Sequence, residues 1–344
     1  MVMEDSSRLD AYAKPPEDLK SAYKKYQKIS IAQLDSDDTV FDAAHEQYAG
    51  FTVNIQAKEE LQMPAEISHI VQSFLSNRGS MSRDGTSGCL CYEHPDMPGL
   101  LVFPSLLAPS VQISLLDRLL HRDVSNPAHR NNLTLHYSVP YPEESANSFF
   151  HASNQNLLLD PIDPSQHKTV SMQAMLVKKL RWITLGGQYD WTAKEYPSSP
   201  PPPFPPDIAA LINGIFPAIK PQAAILNLYS PGHTLSLHRD VSEECNRPLV
   251  SISLGCDGLF MAGLDKPNAC SVATMRLHSG DVVVMSGPAR YAWHGVPKVL
   301  PNTCPSWLGD WPVTPHNEDS EQYTSWKGWM ANKRINLNVR QMHD

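Results

Sequence analysis

The stretch that decides the fold is residues 225–240, which read I-L-N-L-Y-S-P-G-H-T-L-S-L-H-R-D. Apolar and polar residues alternate around Leu235 and Leu237, a pattern that predicts a β-strand. Since successive strand side chains point to opposite faces, His238 and Asp240 project from the same face. A histidine and a carboxylate placed in this way supply two of the three protein ligands of a non-haem iron site. The third ligand must come from another part of the chain.

The candidate third ligand is His294, in the sequence R-Y-A-W-H-G-V of residues 290–296. It belongs to a strand-like segment and precedes a glycine, so we expect it on a neighbouring strand that faces the same cavity. Two histidines and one carboxylate occupy one face of an octahedral ferrous ion. The opposite face stays open for a bidentate oxo-acid and for dioxygen.

A second polar face is expected near the end of the chain. Residues 334–340, R-I-N-L-N-V-R, place Arg334, Asn336 and Arg340 on one side of a predicted strand. Arginines that face a cavity bind carboxylates, often through two parallel hydrogen bonds. A dicarboxylic co-substrate such as 2-oxoglutarate would satisfy both. The arginines could instead pair with acids across the sheet, which is the usual fate of strand arginines.

Composition excludes several classes of protein. The chain has 344 residues, of which 41% are hydrophobic, and no apolar run is long enough for a membrane span. The N-terminal residues 1–28 are polar and the six cysteines are scattered, which favours an intracellular protein with reduced thiols. The formal charge of −8 means that a nucleic-acid partner needs a local basic patch. The candidate phosphate contacts are Arg78, Arg83, Lys178, Lys179 and Arg181, although scattered surface charges are the commoner explanation.

The pattern of elements predicts an α+β protein whose core is a β-sandwich or a jelly roll. Short apolar runs separated by turn residues recur from residue 223 to the end of the chain, as in such folds. We therefore predict that this core occupies residues 223–344. Residues 1–171 are expected to form an N-terminal extension of helices and loops that packs on this core.

Taken together, these motifs resemble a known family. N-x-Y-x-P-G at 227–232, H-x-D at 238–240, His294 and R-x-N-x-x-x-R at 334–340 resemble the AlkB family of Fe(II)/2-oxoglutarate dioxygenases. L-R-W-I-T-L-G at 180–186 and H-S-G-D-V-V-V-M-S-G at 278–287 are similar to the eukaryotic AlkB homologue 1 group. The resemblance covers about residues 172–344 and implies a catalytic domain there, with a substrate lid at 172–222 and a double-stranded β-helix (jelly roll) at 223–344. An H-x-D motif alone is weak, whereas four motifs in order are specific.

The resemblance implies a role for each matching residue. The implied Fe(II) ligands are His238, Asp240 and His294. Arg334 would hold the distal carboxylate of 2-oxoglutarate, and Arg340 would lie nearer its metal-chelating end. The remaining implied 2-oxoglutarate contacts are Asn227, Tyr229 and Asn336.

The resemblance also implies an aromatic wall for the substrate. Trp182 would stack a methylated base against the ring of His238, with Tyr189 and Trp191 as further wall residues. A position in the core beside Ile183 is an equally open alternative for Trp182. Ser242 stands where bacterial AlkB has an acidic residue, which puts the bacterial substrate preference in doubt.

The implied reaction is the oxidative demethylation of N-methylated bases in nucleic acid. The substrates suggested are 1-methyladenine in tRNA and N6-methyladenine in DNA. Dioxygen and 2-oxoglutarate are consumed, and formaldehyde, succinate and CO2 are released. Two alternatives stay open: a protein or histone demethylase or hydroxylase with the same iron centre, and a non-enzymatic binding module. We expect a monomer without membrane contact, located in the nucleus and/or cytoplasm or in mitochondria.

Overall fold

The computed structural model describes residues 9–56, 64–75, 90–143, 147–266, 270–314 and 321–344. The sequence prediction of a loop at 77–88, with Arg78 and Arg83, lies outside these residues. Within the described part of the chain, no helix has the length and apolar character needed to cross a bilayer.

The short strands predicted from residue 223 onwards are present, and further strands precede them in the described part of the chain. The strands are β1 (Val40–Phe41), β2 (Thr52–Val53), β3 (Tyr92–Glu93), β4 (Leu100–Phe103), β5 (Tyr137–Ser138), β6 (Leu158–Pro161), β7 (Val170–Ser171), β8 (Trp182–Gly186), β9 (Ala223–Tyr229), β10 (Leu235–His238), β11 (Leu249–Gly255), β12 (Gly258–Leu264), β13 (Ser271–Leu277), β14 (Val282–Met285), β15 (Trp293–Val299) and β16 (Arg334–Arg340).

Helices surround these strands. They are α1 (Glu17–Lys28), α2 (Ile31–Asp35), α3 (Pro64–Leu75), α4 (Pro109–Asp117), α5 (Met172–Ala174), α6 (Pro206–Ile215) and α7 (Ser306–Gly309). Two of them continue into a more loosely wound turn, α4 at Arg118–Asp123 and α5 at Met175–Lys179. Short 3₁₀ turns lie at Ala43–His45, Ala152–Asn154, Gly287–Tyr291, Glu321–Trp326 and Trp329–Asn332.

Two sheets form the predicted jelly roll. The larger has the strand order β2-β3-β4-β14-β11-β16-β9-β8, and the smaller has the order β1-β13-β12-β15-β10. Neighbouring strands are antiparallel, except that β1 runs parallel to β13. Non-consecutive strands are therefore hydrogen-bonded side by side, and this brings 225–240 next to 334–340.

Strand alternation separates two chemical environments on the larger sheet. In β16 the side chains of Ile335, Leu337 and Val339 point to an apolar core shared with the helices α4 and α6. The residues of β16 that alternate with these three, including Arg334, face the space between the two sheets. A second apolar cluster with Phe260 fills the rest of that space. The site therefore has one polar wall set into an apolar sandwich.

The N-terminal extension contributes strands as well as helices. β1 adds to the edge of the smaller sheet, whereas β2, β3 and β4 extend the larger one. β5, β6 and β7 form a separate three-stranded sheet in the region expected to be loops. These strands have two to four residues each, too short for an alternation of apolar and polar side chains to be recognised in the sequence.

Helix α1 packs on the outer face of the smaller sheet. Its residues Leu19 and Tyr26 are buried against Leu259, Met261 and Trp293. The hydroxyl of Tyr23 donates to the backbone oxygen of Leu235 at 2.9 Å and approaches that of Val296 at 3.3 Å. The helix thereby joins β10 to β15.

Candidate active site

Two adjacent strands of the smaller sheet bring the histidines together. In the pairing of β10 with β15, His238 lies directly opposite His294. Asp240 lies just beyond the end of β10, with one carboxylate oxygen 3.7 Å from His238 Nε2 and the other 3.9 Å from His294 Nε2. The ligand atoms of all three side chains lie within 4.8 Å of one another. The three side chains can therefore hold one divalent cation.

Hydrogen bonds orient both imidazole rings for metal binding. Nδ1 of His238 lies 2.9 Å from the backbone oxygen of Ser236, and Nδ1 of His294 lies 3.1 Å from that of Ala292. A carbonyl oxygen only accepts, so each Nδ1 carries the proton and each Nε2 presents its lone pair to the ion. Burial, followed by the nearby His238, lowers the pKa of His294 to about 4, which keeps that ring neutral.

Buried ion pairs fix the carboxylate of Asp240. Its Oδ2 accepts a short hydrogen bond from Arg340 and one of 3.1 Å from Asn338 Nδ2. Arg340 also lies 3.1 Å from Glu243, which pairs at 2.8 Å with Arg290. Burial raises the pKa of Asp240, but the positive groups around it, with Arg340 the strongest of them, together outweigh burial and hold that pKa well below its ordinary value. Asp240 is therefore ionised and cannot turn away from the histidines without breaking the pair.

The other arginine of β16 has no such partner. Arg334 is 1% exposed and donates to Ser253 Oγ at 2.9 Å, and its Nη1 lies 3.5 Å from the Cys256 backbone oxygen. Among the described residues, no carboxylate lies within 4.0 Å of it. Burial lowers its pKa. Its Nε is buried and has no hydrogen-bond partner in the described part of the chain.

The surroundings of Arg334 complete a cradle for an anion. Tyr229 lies opposite Arg334 in the pairing of β9 with β16, and its hydroxyl is also buried without a partner among the described residues. Asn336 pairs with Asn227 in the same register, and both line the cavity. A buried cation and buried hydroxyl left unsatisfied favour an anionic ligand. The carboxylate of a dicarboxylic acid such as 2-oxoglutarate fits this end of the site.

The cavity itself has a volume of about 230 Å³ and connects the cradle with the three candidate metal ligands. An aromatic group forms its outer wall: Tyr189 packs edge-on against Trp191 at 4.9 Å and against Tyr196 at 5.2 Å. Trp191 is 39% exposed, so its ring is open to solvent at the mouth. A planar base can stack there.

The structure places Trp182 outside this wall. Trp182 pairs with Asn227 across β8 and β9, but it is not among the residues that line the cavity in the described part of the chain. Its ring instead packs behind Trp191, at 5.2 Å. Of the three aromatic residues expected at the substrate, the structure thus brings Tyr189 and Trp191, but not Trp182, to the cavity that His238 lines.

An N-terminal segment covers the lid. Ala11 lines the cavity, and its backbone oxygen accepts a 3.0 Å hydrogen bond from Lys194 Nζ. The hydroxyl of Tyr12 donates to Ala193 O at 3.1 Å, while its ring lies 4.1 Å from the Lys194 ammonium. Ser242 Oγ in turn donates to Lys194 O at 3.0 Å. Residues 11–12 thus connect through the lid to the loop that follows Asp240.

Several contributing residues were not predicted from the sequence. Glu243 and Arg290 stabilise Arg340 and the Asp240 backbone, and Tyr196 lies 3.4 Å from Arg340. Ser253, which holds Arg334, reads in the sequence as an ordinary residue of a buried strand. The role of Arg290 could have been predicted because it stands shortly before His294 in the sequence, whereas nothing in the sequence indicated a role for Glu243.

Comparison with known proteins agrees with this geometry. Residues 133–340 match the model of the 2OG-Fe(II) oxygenase superfamily, and the chain belongs to that superfamily. It is an enzyme of the Fe(II)/2-oxoglutarate-dependent dioxygenase class, with Fe(II), 2-oxoglutarate and O2 as cofactor and co-substrates.

Three relatives narrow the assignment. The chain is 42% identical to the N6-methyladenosine RNA demethylase ALKB1 of Pyricularia oryzae, over 98% of this chain and 99% of that protein. It is 37% identical to the tRNA demethylase abh1 of Schizosaccharomyces pombe, over 71% of this chain and 79% of that protein. It is 26% identical to the DNA N(6)-methyladenine demethylase ALKBH1A of Arabidopsis thaliana, over 92% of this chain and 99% of that protein. Within the superfamily it is a member of the AlkB family, in the AlkB homologue 1 group.

Proposed function

We propose that this protein is an oxidative demethylase of N-methylated adenine in nucleic acid. The observation that supports this proposal is that three features meet in one small cavity. They are three convergent candidate metal ligands, a cradle with a buried arginine that has no carboxylate partner among the described residues, and an aromatic wall at the mouth. The relatives named above act on RNA, tRNA and DNA. N6-methyladenosine in RNA is the first substrate to test, because the relative with that name matches nearly the whole chain.

In this proposal each residue has a definite task. His238, Asp240 and His294 bind Fe(II). Arg334, Tyr229 and Asn227 bind the distal part of 2-oxoglutarate, and Asn336 lies beside them. Arg340 positions Asp240. When bound, iron and O2 couple the oxidation of 2-oxoglutarate to succinate and CO2 with hydroxylation of the N-methyl group, which then leaves as formaldehyde.

The protein itself supplies orientation and exclusion of water. Trp191 and Tyr189 hold the base at the mouth, and the lid closes behind it. Trp182 then acts indirectly, by supporting the ring of Trp191. Residues 1–171 are proposed to serve as an extension that completes the sheets and covers the lid, with the catalytic domain at 172–344. A monomer inside the cell, in the nucleus, cytoplasm or mitochondria, is consistent with the free thiols of the described cysteines.

Formaldehyde release tests the activity. Equal concentrations of an N6-methyladenosine RNA oligonucleotide, a 1-methyladenine tRNA stem-loop, an N6-methyladenine DNA oligonucleotide and a methyl-lysine peptide are compared with Fe(II) and 2-oxoglutarate. We expect release from at least one nucleic acid, and loss in His294→Ala but not in His151→Ala, whose histidine is outside the site. Release from the peptide alone would make the protein a protein demethylase. No release from any substrate would refute a demethylase function.

Metal binding is tested separately from turnover. Titration of the metal-free protein with Mn(II), a redox-inert probe, should give one site whose affinity falls at least tenfold in His294→Ala and in His238→Ala. Unchanged Mn(II) affinity in both variants would show that the ion binds elsewhere.

A further inference from the structure

Three nitrogen-bearing side chains meet at the ends of β8, β9 and β16, and we call Arg181, His233 and Lys333 the basic cluster. Arg181 immediately precedes β8, and its backbone oxygen accepts from Leu228 N at 2.8 Å. Lys333 immediately precedes β16, and its ammonium donates to Ser230 Oγ at 2.7 Å. His233 joins them through a 3.1 Å hydrogen bond from Ser230 N to its Nδ1. Lys333 and His233 thus meet at the turn that contains Ser230, and Arg181 lies close enough for its charge to act on both.

The cluster carries positive charge without a counter-ion. Lys333 is 8% exposed, and burial, followed by the charge of Arg181, lowers its pKa to about 8. Burial likewise lowers the pKa of Arg181. Among the described residues, no carboxylate acts on either group or lies within 4.0 Å of it. Among the described residues, the Lys333 ammonium donates to the oxygens of Ser230 and Val177 and lies 5.1 Å from the centre of the Trp329 ring.

The absence of an acid here contrasts with the rest of the molecule. The chain has 36 acidic and 28 basic residues, so acids are in excess. Other half-buried arginines are neutralised: Arg122 lies 2.7 Å from Asp207, and Arg276 lies 2.8 Å from Asp257. A partly buried, uncompensated positive charge is unfavourable unless an anion binds to it.

His233 completes the donor set. Because its Nδ1 accepts a hydrogen bond from a backbone N–H, its proton resides on Nε2, which is a donor. Burial, followed by Arg181 and Lys333, lowers the pKa of His233 to about 4, so the ring stays neutral at neutral pH. A guanidinium, an ammonium and a neutral N–H donor together suit a phosphate oxyanion.

The cluster is linked to the cavity through residues that lie next to it in the sequence. Arg181 is followed by Trp182, which supports the exposed ring of Trp191. His233 lies two residues before Leu235, which lines the cavity. A nucleotide whose base enters the cavity would therefore carry its phosphates towards this rim.

We propose that Arg181, His233 and Lys333 form a binding site for a phosphodiester group of the substrate strand, adjacent to the base in the cavity. This proposal rests on the proposed function and adds the part of the nucleic acid that the cluster recognises. It also accounts for how a protein of net charge −8 binds a polyanion. Lys178 and Lys179, on the turn just before Arg181, extend the same positive surface.

The test measures oligonucleotide binding at several salt concentrations. Protein loaded with Mn(II) and 2-oxoglutarate is titrated with a methylated single-stranded RNA oligonucleotide in 0.05–0.4 M KCl. Loss of one phosphate contact lowers the slope of log K against log [KCl] by about 0.7, equivalent to roughly fivefold weaker binding near 0.1 M KCl. We expect this change in Arg181→Gln and in Lys333→Gln, where the new amide still donates to Val177 O. Lys327→Gln is the control, because Lys327 has its own carboxylate partner at 3.3 Å.

Three further measurements separate the possible outcomes. The variants should keep the wild-type kcat at saturating oligonucleotide, the wild-type affinity for 2-oxoglutarate and the wild-type Tm. Unchanged slopes in both variants would overturn the proposal, as would a weaker affinity for 2-oxoglutarate with oligonucleotide binding intact. Competition by inorganic phosphate alone, without any change in oligonucleotide affinity, would assign the cluster to free phosphate instead. Failure of the proposed function is distinct, since the wild-type protein would then release no formaldehyde from nucleic acid.

Discussion

Replacing Arg334 by methionine should move 2-oxoglutarate affinity and stability in opposite directions. The guanidinium is 1% exposed, contacts only neutral groups among the described residues, and leaves Nε unsatisfied. In the ligand-free protein this buried charge is unfavourable, and methionine fills a similar volume without it. We therefore expect the free energy of unfolding without 2-oxoglutarate to stay unchanged or to rise by up to about 2 kcal/mol.

The effect on 2-oxoglutarate binding is large and opposite in sign. Hydrogen bonds to a charged group contribute about 1.5–3 kcal/mol each, and two of them to one carboxylate contribute about 3–5 kcal/mol. At 1.4 kcal/mol per decade, the dissociation constant should rise by about 100-fold to 4,000-fold. Calorimetric titration of the Mn(II)-loaded protein measures this constant without turnover. Urea unfolding of the ligand-free protein measures the stability.

Arg340→Met provides the matched control from the same strand. Arg340 is equally buried, but it pairs with Asp240 and Glu243, so its removal leaves two carboxylates without their cation. We expect that variant to lose about 3–5 kcal/mol of stability. If Arg334→Met binds 2-oxoglutarate within threefold of the wild type, or loses as much stability as Arg340→Met, the assignment of Arg334 to the co-substrate is wrong.

Three other outcomes are expected. Tyr12→Ala removes the hydrogen bond to Ala193. The amount of succinate formed without release of formaldehyde should rise severalfold, because a loosened lid admits water. An unchanged ratio of succinate to formaldehyde would mean that this segment does not hold the lid. Trp191→Ala should raise KM for the oligonucleotide by about tenfold or more through lost stacking, while Trp182→Ala has a smaller effect; the reverse order would return the base platform to Trp182. Burial lowers the pKa of His278, but hydrogen bonds to two carboxylates outweigh burial and raise that pKa to about 10. The unfolded value is about 6.5. The stability that His278 contributes is therefore fully present below pH 6.5 and is lost as the pH rises through 10. His278→Gln should therefore destabilise by about 2 kcal/mol at pH 6 and by much less at pH 10 in urea unfolding, and a pH-independent difference would contradict this.

The sequence was sufficient for the parts of the site that depend on strand periodicity. Even spacing along 334–340 places Arg334, Asn336 and Arg340 on one face whatever the neighbouring strands are. The same reasoning paired His238 with Asp240. His294 was expected on a neighbouring strand, and it lies directly opposite His238 near the start of β15.

Features that depend on burial or on long loops could not be predicted. Glu243 precedes Glu244 in a polar run and reads as a surface acid, yet it is buried between Arg290 and Arg340. Trp182 was expected at the substrate because the family resemblance implies an aromatic residue at its position. The loop after β8 folds so that the ring of Trp191 packs against that of Trp182. A loop of this kind has no periodic pattern of residues from which its path could be predicted.

The bond from Tyr23 to the β10–β15 pair links the beginning of the chain to the strands that carry His238 and His294. The contacts span 212 and 273 residues of sequence. Contacts between such distant segments form late and slow folding. During synthesis, the first helix therefore leaves the ribosome long before its docking surface exists. The pocket that gathers the two histidines becomes fully braced only after β15 has been made.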